Sequence, residues 1–269
     1  MKYIVCNSEV AVLNRVYDEL EKYIEDGAVL SLPYEIINTQ IEKRIILDYN
    51  LEKFRYKHII FLAQKEIFGI DIEEDKSIYR LMKKNLYKKL DADNKNIYFP
   101  QITTDDNVQE NLEKYDTILQ DNKSDVTIIF LDNEGKIFGY DSVTCENKLT
   151  HVTNLAEKER NILKNNYNIN AEKIINVGIE NLLASRNLFL IAVGNDKKEY
   201  IKNILENDEE SNNILQVIKN HPALTVFVDK EASYKSEEEV TRLLRRKQKQ
   251  KELEELKKLE EKNKEEKGE

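Results

Sequence analysis

The chain has 269 residues, enough for one large domain or a domain with an appendage, with 40% hydrophobic and 35% charged residues. A formal net charge of −9 argues against a nucleic-acid footprint over the main body. No apolar stretch approaches the roughly 18 residues of a membrane span, and "MKYIVCNSEVAVL" carries no basic region followed by an apolar run, so no secretory signal is expected. Cys6 and Cys145 have no metal-ligand spacing and read as bland thiols of a reducing cytoplasm; neither metal nor cofactor is expected.

In chain order, "YIVC" at 3–6 reads as a strand. Val12, Leu13, Val16, Tyr17, Leu20, Tyr23 and Ile24 follow at helical spacing, with Asn7 or Ser8 as N-cap. "AVLSL" at 28–32 is a second strand, with an amphipathic stretch through about Tyr49. "HIIFLA" at 58–63, "NIYFP" at 96–100 and "VTIIFL" at 126–131 continue the strand series, with helices over 77–90 and 106–120. "KIINV" at 173–177, "NLFLIAV" at 187–193 and "ALTVFV" at 223–228 complete it, with helices at about 196–206 and 210–219. Apolar strands separated by helices predict an α/β three-layer sandwich with a mostly parallel, doubly wound, Rossmann-like sheet. In such folds ligands sit beyond the carboxyl ends of the strands, here the loops starting at Ser31, Ala63, Leu131, Val193 and Val228.

From about Ser236 the composition changes to a near-unbroken run of Lys, Arg, Glu and Gln. Residues 1–234 are read as the α/β domain and 235–269 as a charged helical tail. Glu254–Lys258 and Glu260–Lys264 are favourable i,i+4 pairs, and Leu243, Leu244, Leu253, Leu256 and Leu259 form a broken apolar stripe. A solvated single helix, a coiled-coil seam for a protein partner, and RNA or lipid contact through "RRKQKQK" at 245–251 all remain open for it.

"NVGIENLLASRNLFLIAVGNDKKEYIKNILEND" at 176–208 and "HPALTVFVDKEAS" at 221–233 resemble the closing portion of glucosamine-6-phosphate deaminases. "HIIFLAQKEIFGI" at 58–70 and "SIYRLMKKNLYKKLDADNKNIYFP" at 77–100 resemble that family's segments in the same order, closer to the deaminases than to the sister 6-phosphogluconolactonases. The resemblance covers roughly residues 1–233. It implies ring opening of glucosamine 6-phosphate, isomerisation and release of ammonia, leaving fructose 6-phosphate.

The positions the family uses are altered. Where a Gly-rich phosphate loop is implied, the chain reads "SLPYEIINT" at 31–39, with branched side chains and Glu35. The family's proton-moving Asp falls on Lys65, with Glu66 beside it; a one-residue shift turns a side chain by about 100° on a helix or to the opposite face of a strand, so Glu66 does not take its place. In "LDNEGKIFGYD" at 131–141 the relay Asp, His and Glu fall on Glu134, Lys136 and Asp141. A turn between two strands with solvated charges accounts for the same residues. The phosphate-binding lysine falls on Lys197, which reads equally as a surface lysine, and the lid arginine falls on or near Asn154. An ordinary lysine cannot exchange protons near neutrality as imidazole does. Three readings follow. One is a degenerate deaminase-like protein acting as a binding, regulatory or scaffold protein, with weak or altered sugar-phosphate binding. Another is an active deaminase using Glu134, Lys136, Asp141 and Lys197. A third puts function in the tail, on the α/β platform.

Overall fold

The computed structural model describes residues 1–104, 106–137, 148–206 and 214–267, with the side chains at 251 and 258–267 outside the description. Its strands are β1 (Lys2–Cys6), β2 (Val29–Ser31), β3 (Ile60–Leu62), β4 (Lys65–Ile67), β5 (Ile97–Tyr98), β6 (Val126–Phe130), β7 (His151–Asn154), β8 (Lys173–Asn176), β9 (Asn187–Ala192) and β10 (Leu224–Asp229). The helices are α1 (Glu9–Leu20), α2 (Gln40–Asn50), α3 (Ile78–Asn85), α4 (Val108–Asp121), α5 (Glu157–Tyr167), α6 (Ile179–Leu183), α7 (Lys198–Glu206), α8 (Ile214–Lys219) and α9 (Glu237–Lys267).

A seven-stranded sheet runs in the order β1-β10-β9-β6-β2-β3-β5, and every pairing in it is parallel. The strands are the continuous apolar runs of the sequence: β10 is buried along its whole length and β6 on four of five residues. Parallel strands need both faces covered, and α1 does so on one side through Val12, Leu13, Val16, Tyr17 and Leu20. Its N-cap is Ser8, whose side chain accepts from the Ala11 N–H at 3.3 Å. One apolar cluster joins α1, α2 and α3 to the sheet, and a second joins α7, α8 and the start of α9.

"KIINV" departs from expectation. β8 does not join the parallel sheet but is the centre of a small antiparallel sheet, β4-β8-β7. Its partners are polar three- and four-residue strands, "KEI" and "HVTN", too short to show a period in the sequence.

α9 is not solvated from its start. Val240 is fully buried, Leu243 and Leu244 pack on the second cluster, and Glu237 Oε1 accepts from the Val5 N–H at 2.5 Å on the free edge of β1. Farther along, Leu253 and Leu256 are exposed. No helix among the described residues is long and apolar enough to cross a membrane.

Candidate functional site

The carboxyl ends of β2, β3, β6 and β9 bring four segments together, beginning at Leu32, Ala63, Leu131 and Val193. After β2 the chain makes a tight turn over Tyr34–Ile36, then enters α2 from Thr39. An anion cradle needs free backbone N–H groups. Here the N–H groups of Ile36, Ile37 and Thr39 donate to Pro33, Tyr34 and Ile36 carbonyls, that of Asn38 to Glu42 and that of Ile41 to Thr39 Oγ1. Tyr34, Ile36 and Ile37 are buried where glycines would leave room.

Lys65, on β4, turns its amine into this same space. Nζ lies 2.8 Å from Glu35 Oε1 and 5.6 Å from the Tyr34 ring centroid, with the Lys65 side chain 2% exposed. Glu35 Oε2 is buried and makes no hydrogen bond. The Tyr167 ring, at the end of α5, meets the Tyr34 ring edge-on at 5.2 Å and closes the top. A cavity of about 10 Å³ remains beside Leu32, Gln64, Met82 and Phe99, room for about one water. Gln64 seals the floor, its amide donating to the Ser31 carbonyl at 3.2 Å and the Ile128 carbonyl at 2.8 Å. An ammonium in an ion pair offers no lone pair to take a proton, so Lys65 is placed as a structural cation.

Glu66 points elsewhere, as alternation along a strand requires. Its carboxyl is buried and accepts from the N–H groups of Ile67, Ile78 and Tyr79 at 2.7, 2.8 and 2.9 Å, closing the first turn of α3. Burial pushes it up to about 7, against the pull of those three bonds.

The stretch after β6 is a turn. Leu131 and Ile137 form an antiparallel bridge, and Asp132 Oδ1 accepts from the N–H groups of Glu134 and Lys136, each at 2.8 Å. Gly135 sits at φ +74°, where a Cβ would come within 2.3 Å of the Tyr200 ring on α7. Glu134 lies 3.0 Å from Lys158 Nζ and 3.4 Å from Lys136 Nζ, and these cations, Lys158 first, hold its carboxyl below the usual range. Lys197 is not a surface lysine. It is 7% exposed and its Nζ donates to Asn133 in this turn and to Asp196 at 2.7 Å.

Glu134, Lys136 and Lys197 therefore meet around one turn, while Lys65 belongs to a separate ion pair with Glu35. Asn154 joins neither. It is exposed and pairs with Lys173 across β7 and β8, three positions from the row His151–Asn176–Lys65, about 10 Å along the strand. Asp141 lies outside the described residues. No group of three or more His, Cys, Asp or Glu able to hold a metal occurs among the described residues. The Glu35–Lys65 pair, the Gln64 staple and the Tyr34–Tyr167 contact are not visible in the sequence segment by segment. One signal for the pair was available: the two positions depart from the family with opposite charge.

The sequence and the fold resemble those of known proteins. The chain is 27% identical over 195 residues to the glucosamine-6-phosphate deaminase of Mycoplasmopsis pulmonis, covering 70% of this chain and 76% of that protein. It is 24% identical over 244 residues to that of Lactobacillus johnsonii, covering 87% and 97%. The chain is similar to glucosamine-6-phosphate deaminases. A monomeric glucosamine-6-phosphate deaminase superposes with a TM-score of 0.75 at 20% identity, over 86% of this chain and 98% of that one. The 6-phosphogluconolactonase of Leishmania guyanensis shares the fold at a TM-score of 0.65 and 12% identity, over 86% and 97%. No family model matches the sequence.

Proposed function

We propose that this deaminase relative is catalytically silent and acts as a binding, regulatory or scaffold protein beside amino-sugar phosphate metabolism. One observation carries the reading: the buried Lys65–Glu35 pair occupies the place where the family resemblance puts phosphate and the proton-moving carboxylate. A phosphate there would meet Glu35, find the N–H groups of 36–39 and 41 already bonded, and have a cavity of about 10 Å³. Losing one such stabilising group commonly costs about 10² or more in rate, and cradle, base and histidine are all replaced. In this reading residues 1–234 form the deaminase-like unit and 235–269 an appended helix.

The competing reading, an active sugar-phosphate deaminase, draws on the buried Lys197 beside the turn that carries Glu134 and Lys136. Incubation of purified protein with glucosamine 6-phosphate, with ammonia and fructose 6-phosphate measured, separates the two. No product and no thermal shift by sugar phosphates is the expected result. Turnover abolished by Lys136→Ala would overturn it.

A further inference from the structure

On the outer side of Tyr167 from that cleft, a groove of about 580 Å³ opens between α3 with the short turn after it and the end of α5, within the size range of small-molecule sites. One wall carries Arg80, Lys83, Lys84 and Lys88; the other, Tyr167, Asn168 and Ile169, bears no charge. Among the described lining residues Asp75 is the one acid, and it and Glu73 offset Arg80 and Lys83, which leaves Lys84 and Lys88 as the uncompensated charges of the groove.

Arg80 and Lys84 stand one turn apart on α3, where like charges repel, and Lys88 follows in the short turn after it. The negative end of the α3 dipole accommodates Lys83 and Lys84, but Arg80 stands in the first turn, where a cation is disfavoured, and Lys88 lies beyond the helix. Arg80 and Lys83 find Glu73 at 3.3 and 3.0 Å. Lys84 and Lys88 are exposed and have no ion pair or hydrogen bond among the described residues.

We propose that this groove binds a small molecule carrying two or more phosphate groups, with Lys84 and Lys88 as the principal anion contacts. Arg80 and Lys84 lie about 6 Å apart along α3 and Lys88 stands beyond its end, a spread that suits a chain of linked phosphates better than one. The walls and the acidic remainder of the surface disfavour a long nucleic acid. The site does not depend on whether the deaminase-like cleft is silent.

Calorimetric titration with inorganic tripolyphosphate tests it, using the full chain, a Lys84→Gln/Lys88→Gln variant and a Lys57→Gln/Lys123→Gln control with equal charge loss elsewhere. The expected result is saturable binding by wild type and control, weakened roughly tenfold or more in the groove variant. Inorganic monophosphate should bind far more weakly than tripolyphosphate. Absence of saturable binding, or equal weakening in both variants, would overturn the site. Tighter binding of a single-stranded oligonucleotide than of tripolyphosphate would overturn the ligand class.

Discussion

The amine of Lys65 lies 2.8 Å from the carboxylate of Glu35, thirty residues earlier, with the lysine 2% and the glutamate 19% exposed at their side chains. Removing one partner leaves the other charge without compensation in a nearly dry site, whereas replacing both removes the desolvation cost together with the attraction. Lys65→Met alone is expected to destabilise the protein by about 2–3 kcal/mol, somewhat under the range for fully buried pairs because Glu35 retains contact with water. Glu35→Leu/Lys65→Met should recover most of that loss. Urea denaturation of the single and double variants checks it; equal losses in both would contradict the pairing.

Glu66 makes stability depend on pH. Its ordinary value is 4.5 and its folded value about 7, so the folded state holds this proton more tightly. The stabilisation is complete below about pH 4.5 and is lost as pH rises through about 7, amounting to about 3 kcal/mol at most. Denaturation midpoints of wild type and Glu66→Gln, measured from pH 4 to pH 8, should converge in slope outside that window and differ within it. Parallel profiles throughout would rule the linkage out.

Gly135→Ala combines a left-handed backbone, at φ +74°, with a methyl group placed 2.3 Å from the Tyr200 ring. The backbone part alone costs about 1–2 kcal/mol, and displacement of the ring adds to it. Tyr200→Ala should reduce the penalty of Gly135→Ala in a double-mutant cycle read by thermal unfolding. Additive losses would show that the ring is not the obstacle.

Truncation after residue 235 uncovers the buried pocket of Val240 and leaves the Val5 N–H of an edge strand without Glu237. A loss of about 2–4 kcal/mol and increased light scattering on standing are expected, from the burial of Val240, Leu243 and Leu244. Truncation after residue 250, which keeps those contacts, should behave as the full chain does.

The parallel sheet was legible because runs such as "VTIIF" and "NLFLIA" bury both faces and need no alternation to be recognised. The small sheet was not, since "KEI" and "HVTN" acquire their pairing from β8, more than a hundred and about twenty residues away. Likewise "SIYRLMKK" announces α3 by its period and by Ser77, whose hydroxyl accepts from the Arg80 N–H at 2.9 Å. No periodicity indicates that Glu66, twelve residues before Ile78, completes the cap. At the cleft, the substitutions were visible position by position. Their mutual compensation required tertiary proximity, which no single segment encodes.

The Gln64 amide has a mechanical consequence. The sheet consists of two halves, β1-β10-β9-β6 and β2-β3-β5, whose strand pairing among the described residues is β2 on β6 over Leu30–Val126 and Ser31–Thr127. At one end of that short seam Asp125 and Val29 exchange hydrogen bonds, Asp125 N–H to the Val29 carbonyl at 2.7 Å and Val29 N–H to Asp125 Oδ2 at 2.8 Å. At the other, Gln64 grips a carbonyl of each half. A two-rung joint riveted at both ends transmits bending as a single plate, so the halves cannot scissor apart about β2 and β6 without first tearing out a side chain that belongs to neither strand.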